Sequence, residues 1–115
     1  LVLHKDSRPY TAFSSPLGVL QFKRLCCGLN CSSELFQTAM ARVLHGIPGV
    51  IQIVDDCLVH GATAADHDAA LEAVVKRFVE HRLTLHKEKC LLNQSEIDFL
   101  GAFSQHEVFL STLIV

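Results

Sequence analysis

The stretch Val50-Ile51-Gln52-Ile53-Val54-Asp55-Asp56-Cys57-Leu58-Val59 decides the fold. Two apolar, β-prone runs flank a pair of aspartates, which predicts a β-hairpin with Asp55 and Asp56 at its turn. Adjacent carboxylates repel each other, and a divalent cation such as Mg²⁺ relieves that repulsion because it takes hard oxygen ligands. Asp-Asp is also a common turn sequence. These residues alone therefore leave a plain turn and a metal site both open.

A helix is predicted on each side of the hairpin. Before it, Ser32 or Ser33 can cap a helix that ends at Gly46 and Pro48. Its apolar residues recur every three to four positions and form one buried stripe: Leu35, Phe36, Ala39, Met40, Val43 and Leu44. After the hairpin, Thr63 and Asp66 resemble a capping box. The inner face of this second helix is predicted to be Leu71, Val74, Val75, Phe78 and Val79, with Glu72, Lys76, Arg77 and Glu80 facing outward.

Strands are predicted towards both ends of the chain. The first two are Tyr10–Phe13 and Val19–Leu25, separated by the turn Ser14–Gly18. After a lysine-rich turn at His86–Lys89, the last two are Ile97–Phe103 and Val108–Leu110. The order β-β-α-β-β-α-β-β predicts an α+β fold, with an antiparallel sheet and two helices on one face.

Composition excludes several classes of protein. The chain has 115 residues, 50% of them hydrophobic and 19% charged, which is too apolar for a disordered chain. Its net charge of −2 argues against a free-standing nucleic-acid-binding module. No apolar run approaches the ~18–20 residues that cross a bilayer. The start, Leu1–Asp6, has neither an initiator Met nor a signal peptide, so we expect a fragment of an intracellular protein with reduced cysteines.

Two further groups of residues could carry chemistry. The five cysteines are Cys26, Cys27, Cys31, Cys57 and Cys90. They lack the paired spacing of zinc sites, which favours buried or incidental thiols over structural zinc. Basic residues lie next to turns, where they could reach phosphate oxygens or remain ordinary solvated charges: Arg8, Lys23, Arg24, Lys87 and Lys89.

The order of these pieces resembles the reverse transcriptases of gypsy-like LTR retrotransposons. Residues 7–16, SRPYTAFSSP, are similar to their "SRxxTAFxTPxG" stretch, and residues 22–37, FKRLCCGLNCSSELFQ, to "FxRLPFGLxxAPxxFQ". The strand that ends in Asp55-Asp56 resembles the "YxDD" box. Residues 67–71, 83–90 and 99–101 resemble the "EHxxxL", "LxLNxEKC" and "FLG" elements. Six motifs in the same order are far more specific than any one of them.

This resemblance implies a fold and a reaction. The fold is a partial polymerase palm at residues 26–115, with residues 1–25 contributing fingers and palm strands. The reaction is transfer of a deoxynucleotide to a primer 3′-hydroxyl at two Mg²⁺ ions. Asp55 and Asp56 match the catalytic metal ligands. Residues matching those near nucleotide or template are Cys27, Gly28, Leu29, Gln37 and Lys89. The implied partners are a template–primer and deoxynucleoside triphosphates, with no membrane.

Departures from the family pattern also carry expectations. The family's first catalytic carboxylate lies upstream of "SRxxTAF", so one Mg²⁺ ligand is expected outside this chain and the fragment alone is expected to be inactive. Ile53 stands where the box has an aromatic residue, and Cys26-Cys27 replaces Pro-Phe. The parent polyprotein is expected to carry the remaining polymerase subdomains, RNase H and integrase, in a cytoplasmic particle or the nucleus. The alternative is a non-catalytic interaction domain derived from the element.

Overall fold

The chain is an α+β protein in which pairs of strands are separated by helices. The computed structural model describes residues 1–99 and 102–115, and the side chains of residues 1–94 and 111–115. Its regular elements are β1 (Phe13–Ser15), β2 (Gly18–Leu20), α1 (Ser32–Leu44), β3 (Val50–Ile53), β4 (Asp56–Gly61), α2 (Ala64–Glu80), β5 (Leu91–Phe99) and β6 (Ala102–Ile114), with 3₁₀ helices at Lys5–Thr11 and Lys87–Lys89. The predicted order and fold class are confirmed.

The chain divides into two compact units, Leu1–Phe36 and Gln37–Val115. The first unit contains the antiparallel pair β1–β2, in which Phe13 is opposite Leu20. Among residues 1–36, all of which are described, Thr11 alone is buried. Its hydroxyl donates a hydrogen bond to the Arg8 carbonyl (2.7 Å) and accepts one from the Phe22 amide (2.9 Å). Local hydrogen bonds rather than a hydrophobic core therefore organise this unit.

Those hydrogen bonds explain why both strands predicted for the first unit are wrong in extent. Tyr10 and Thr11 lie in a 3₁₀ helix, and the strand begins at Phe13. The second strand ends at Leu20 instead of Leu25 because the Thr11 hydroxyl takes the Phe22 amide. Beyond it, an isolated bridge joins Val2 to Arg24.

The second unit contains a four-stranded antiparallel sheet in the order β3-β4-β6-β5. Cys57 is opposite Leu113, and Val59 is opposite Ser111. These four side chains share the face that α2 covers, and each is at most 2% exposed. The predicted strand Ile97–Phe103 is wrong in its bounds, because β5 (Leu91–Phe99) ends within it and β6 (Ala102–Ile114) begins within it. The predicted return strand Val108–Leu110 is part of the much longer β6. Residues 100 and 101 of the predicted strand at 97–103 and of the "FLG" match lie outside the described residues.

The helix α2 packs on the sheet through a narrower face than predicted. Its buried residues are His67, Ala70, Val74 and Phe78. Val75 and Val79 were placed in the core, but they are 40% and 71% exposed. The backbone of α2 approaches Gly61 at His67, and the buried side continues through Ala70, Val74 and Phe78, which leaves Val75 and Val79 outside it. The predicted cap is present, because the Thr63 hydroxyl accepts the Asp66 amide at 3.1 Å.

The prediction for α1 is close in extent, but the predicted serine cap is wrong: Ser32 is the first helical residue, and its hydroxyl donates to the Cys26 carbonyl at 2.6 Å. The predicted burial is also partly wrong. Met40 and Leu44 are buried, but Leu35 in the predicted buried stripe is 48% exposed. Arg77 was predicted to face outward on α2. It is instead half-buried, and its guanidinium donates to the Val43 carbonyl at 2.8 Å, near the α1 C-terminus where backbone carbonyls lack helical partners. In the described part of the chain, no helix is long and apolar enough to span a bilayer.

Candidate active site

The hairpin β3–β4 carries the two aspartates at one end of the sheet. Ile53 is opposite Asp56, so the loop is Val54-Asp55 and Asp56 is the first residue of β4. This corrects the prediction that Asp55-Asp56 forms the turn. The side-chain amide of Gln52 donates to the Val54 carbonyl at 2.6 Å, which holds Val54 in the loop.

Val54 has an unusual backbone conformation. Its φ of 51° lies in the left-handed region, which β-branched residues rarely adopt. A positive φ at the first of two loop residues is the requirement of a type II′ turn, whose twist matches that of a hairpin. The sequence therefore places valine where glycine or asparagine would be less strained.

The two carboxylates occupy different environments. Asp55 is exposed in the loop, and its carbonyl accepts the Val115 amide at 3.3 Å. Asp56 is half-buried on β4, opposite Ile114 of β6. Because side chains alternate along a strand, Asp56 lies on the sheet face opposite α2, with Leu58 and Ile53. On that face Leu58 is buried, at 7% exposed, whereas Asp56 at the strand end is only half-buried.

These residues fit a divalent cation in chemistry but form an incomplete ligand set. Carboxylate oxygens are the donors that Mg²⁺ prefers, and Mg²⁺ keeps positions for water and phosphate oxygens. Across the residues that the structure describes, no group of three His, Cys, Asp or Glu side chains could hold a metal ion. Asp55 and Asp56 could therefore provide part of a coordination sphere.

A basic segment lies at the same end of the sheet. The His86 amide donates to the Ile114 carbonyl at 2.9 Å, and Ile114 is the residue paired with Asp56. The 3₁₀ helix Lys87–Lys89 follows directly, and Lys89 is exposed. The structure thus brings the segment that carries Lys89 to the strand end beside the aspartates. Sequence spacing alone could not establish this proximity, because 33 positions separate Asp56 from Lys89.

The other predicted site residues lie elsewhere. Cys27 is exposed, Leu29 is half-buried, and both belong to the first unit. Gly28 has a φ of +92°, and a Cβ added there would meet no atom within 4 Å. Glycine is therefore needed at position 28 for the positive φ of the turn and not for a close packing contact. Gln37 is exposed on α1 in the second unit.

Neither the thiols nor the cavities found among the described residues add to this site. All five cysteines are free, and burial raises the pKa of the Cys57 thiol to about 12. A cavity of about 610 Å³ lies at the other end of β4, lined in part by Gly49, His60 and Asp66. It does not include the hairpin aspartates.

One polar cluster was missed from the sequence. His67 and Ser111 are buried and hydrogen-bonded to each other at 2.9 Å. In the sequence His67 stands out only within the "EHxxxL" match, and Ser111 carries no signal because nothing local predicts a partner 44 positions away.

Comparison with known proteins gives one family match. The family model described as "Reverse transcriptase (RNA-dependent DNA polymerase)" matches residues 2–103. The chain is 33% identical over 102 residues to the enzymatic polyprotein of Figwort mosaic virus (strain DxS), and 35% identical over 104 residues to that of Cestrum yellow leaf curling virus. It is 25% identical over 104 residues to an uncharacterized protein of Caenorhabditis elegans. These alignments cover 88–90% of this chain but only 8–16% of the relatives.

Proposed function

Because this chain belongs to the reverse transcriptase (RNA-dependent DNA polymerase) family, we propose that it is the part of a larger polymerase that carries the metal-binding hairpin. The observation that carries this proposal is the position of Asp55 and Asp56. They lie at one end of an antiparallel hairpin, Asp55 in the loop and Asp56 at the start of β4. The β6 partner of β4 also binds the segment leading to Lys89. The parent reaction is template-directed addition of deoxynucleotides to a primer 3′-hydroxyl.

Each site residue has a distinct proposed task. Asp55 is the principal Mg²⁺ ligand and Asp56 the second. The bound metal ions would lower the energy of the negative charge that develops during phosphoryl transfer. Lys89 is proposed to meet the triphosphate, where its ammonium group would stabilise charge or donate a proton; the support is the hydrogen bond from His86 to Ile114, which brings its segment to the end of β6. Replacing Lys89 with Ala in the polymerase should then lower the rate at least about tenfold.

The remaining predicted residues are proposed to contact nucleotide or template. Cys27, Gly28 and Leu29 form the turn before α1, and Gln37 follows on that helix. The turn of Gly28 leaves open space around its α-carbon, which would allow a base or sugar to approach the backbone. Residues 1–25 are proposed to contribute to the fingers and residues 26–115 to the palm.

We also propose that the parent element is a gypsy-like LTR retrotransposon. The support is the order of the six motifs in the sequence. The polyprotein relatives, of which this chain spans 8–16%, support a multidomain parent. In such a parent, the other polymerase subdomains, RNase H and integrase would accompany this segment, in a cytoplasmic particle or the nucleus.

The incomplete ligand set leads to an experiment. We propose that a third carboxylate outside these residues completes the site, so the 115-residue chain should give no primer extension with Mg²⁺ or Mn²⁺. In a longer polypeptide that supplies this carboxylate, Asp55→Asn should lower extension on the order of 10²–10³-fold. Glu72→Gln, an exposed carboxylate on α2, is the matched control and should leave extension unchanged. Asp55-dependent extension by the short chain, or full activity of Asp55→Asn, would contradict the proposal.

A further inference from the structure

Three elements of the second unit meet at one buried hydroxyl. Ser111 of β6 is fully buried, and its Oγ lies 2.9 Å from His67 Nε2 of α2. The same oxygen accepts the Asn93 amide of β5 at 2.9 Å, where the β5–β6 register shifts. The left-handed φ of Asn93, 51°, turns this amide out of the regular ladder. One hydroxyl thus links a helix and two strands.

The partners on the imidazole ring determine the direction of these hydrogen bonds. Asp68 Oδ1 lies 3.0 Å from His67 Nδ1, and an ionised carboxylate only accepts hydrogen bonds. Nδ1 therefore carries the proton in the neutral ring, Nε2 accepts the Ser111 hydroxyl hydrogen, and Ser111 Oγ remains free to accept the Asn93 amide. The Asp-His-Ser order resembles that of a hydrolase, but Ser111 is 0% exposed and no substrate can reach it.

The strand that carries Ser111 also supports the catalytic hairpin. Ser111 is opposite Val59, and three residues later Ile114 is opposite Asp56. The next amide, that of Val115, donates to the Asp55 carbonyl. A slip of one residue along β6 would move Ser111 to the other face of the sheet and away from His67. The hydrogen bond between them therefore favours one register, and the same register aligns the strand end beside both aspartates.

We propose that Ser111 is a positioning residue, whose hydrogen bonds with His67 and the Asn93 amide hold β6 and thereby the Asp55–Asp56 end of the hairpin. The link from His67 to β6 stands on geometry alone. Only its value for catalysis rests on the proposed function of the hairpin. His67 acts at one end of the strand segment and the aspartates lie at the other, about 10 Å away along the strand.

Two variants separate the effect of the Ser111 hydroxyl from the effect of side-chain size. Ser111→Thr and Ser111→Val add similar bulk to the same buried position, but Thr keeps the hydroxyl and Val replaces it with a methyl group. The readouts in the 115-residue chain are the backbone amide signals of Asp55 and Asp56, and hydrogen exchange at Leu113 of β6 and Met40 of α1. Leu113 reports on the strand, and Met40 reports on global unfolding.

If the hydrogen bonds of Ser111 hold β6, the Ser111→Val and Ser111→Thr variants should differ in a specific way. Ser111→Val should shift or double the Asp55 and Asp56 signals. It should also speed exchange at Leu113 at least about fivefold relative to Ser111→Thr, with a smaller change at Met40, because the buried His67 ring and the Asn93 amide lose their hydrogen-bond partner. Equal acceleration at Leu113 and Met40 with unmoved Asp55 and Asp56 signals would mean that Ser111 only stabilises the fold, and the proposal would be wrong. Identical behaviour of the two variants would also overturn it.

A third variant covers the possibility that Ser111→Val does not fold. Ser111→Ala adds no bulk and is compared with Ser111→Thr by the same readouts and criteria. Because no metal or nucleotide is added, the result is independent of the activity of the hairpin. Failure of the metal-binding proposal would leave these exchange measurements unaffected, so the two failures are distinguishable.

Discussion

The sharpest structural prediction concerns Gly61, where β4 passes beneath α2. A Cβ added at Gly61 would lie 2.3 Å from the His67 amide nitrogen and 2.7 Å from the His67 Cα. Both atoms belong to the backbone of a helix that packs on the sheet, so a side-chain rotation cannot relieve the overlap. Gly61 is not among the glycines with a positive φ, so its backbone conformation is one that alanine adopts readily.

These two observations predict whether Gly61→Ala raises or lowers the stability of the protein. Without a clash, Gly→Ala at an ordinary φ should stabilise the protein by about 0.4–1 kcal/mol through the unfolded state. With the clash, overpacking against an immovable backbone should cost about 3 kcal/mol, at the upper end for buried insertions. The geometry therefore predicts a loss of stability where simple propensity predicts a gain.

Urea denaturation followed by circular dichroism measures this difference. A loss of about 3 kcal/mol should lower the midpoint by about 1–3 M urea at an unchanged slope. Gly46→Ala is the control, because its φ is +82° and an added Cβ meets no atom within 4 Å. It should cost only the conformational strain of about 1–2 kcal/mol. An increase in the stability of Gly61→Ala would refute the close approach of α2 to β4.

Other variants test separate contacts. Arg77→Met should lower the free energy of unfolding by about 1–2 kcal/mol because the Val43 carbonyl loses its donor. The control Lys76→Met, at an exposed position, should change it by less than about 0.5 kcal/mol. Urea midpoints that fall equally in the two variants would contradict this. Val54→Asn should raise the free energy of unfolding by about 0.5–1 kcal/mol because asparagine tolerates the left-handed φ better, and a lower melting temperature would be evidence against the strained loop. The Cys57 thiol should resist iodoacetamide in the folded protein and react in urea. Because its pKa rises from 9.0 unfolded to about 12 folded, the thiol contributes full stability below about pH 9 and loses it as the pH rises towards 12; flat stability over that range would be inconsistent with its burial.

The elements that local patterns specify were predictable from the sequence. Nearby residues determine three of these features: the apolar period of α1, the Thr63 cap of α2 and the two β-prone runs of the hairpin. What the sequence could not supply was tertiary geometry. Val75 and Val79 have the same apolar character as Val74, and which valine is buried depends on how α2 packs on the sheet.

In the candidate site too, local features were predictable from the sequence and tertiary geometry was not. The aspartate pair was identified from its flanking apolar runs, but its register was predicted wrongly by one position. A two-residue loop at Val54-Asp55 depends on the Gln52 side chain and on a strained φ, neither of which a propensity expresses. The proximity of the Lys89 segment arises from a long-range hydrogen bond to β6, which the sequence alone could not indicate.

Binding of Mn²⁺ to the isolated chain tests most directly whether the hairpin is a metal site. Paramagnetic Mn²⁺ broadens the amide signals of residues near its binding site, so titration should first broaden Asp55 and Asp56. This effect should disappear in Asp55→Asn and persist in Glu72→Gln. Broadening that is spread evenly over the acidic residues of α2 and the hairpin, or that persists in Asp55→Asn, would contradict the assignment of this hairpin as the metal-binding centre of the polymerase.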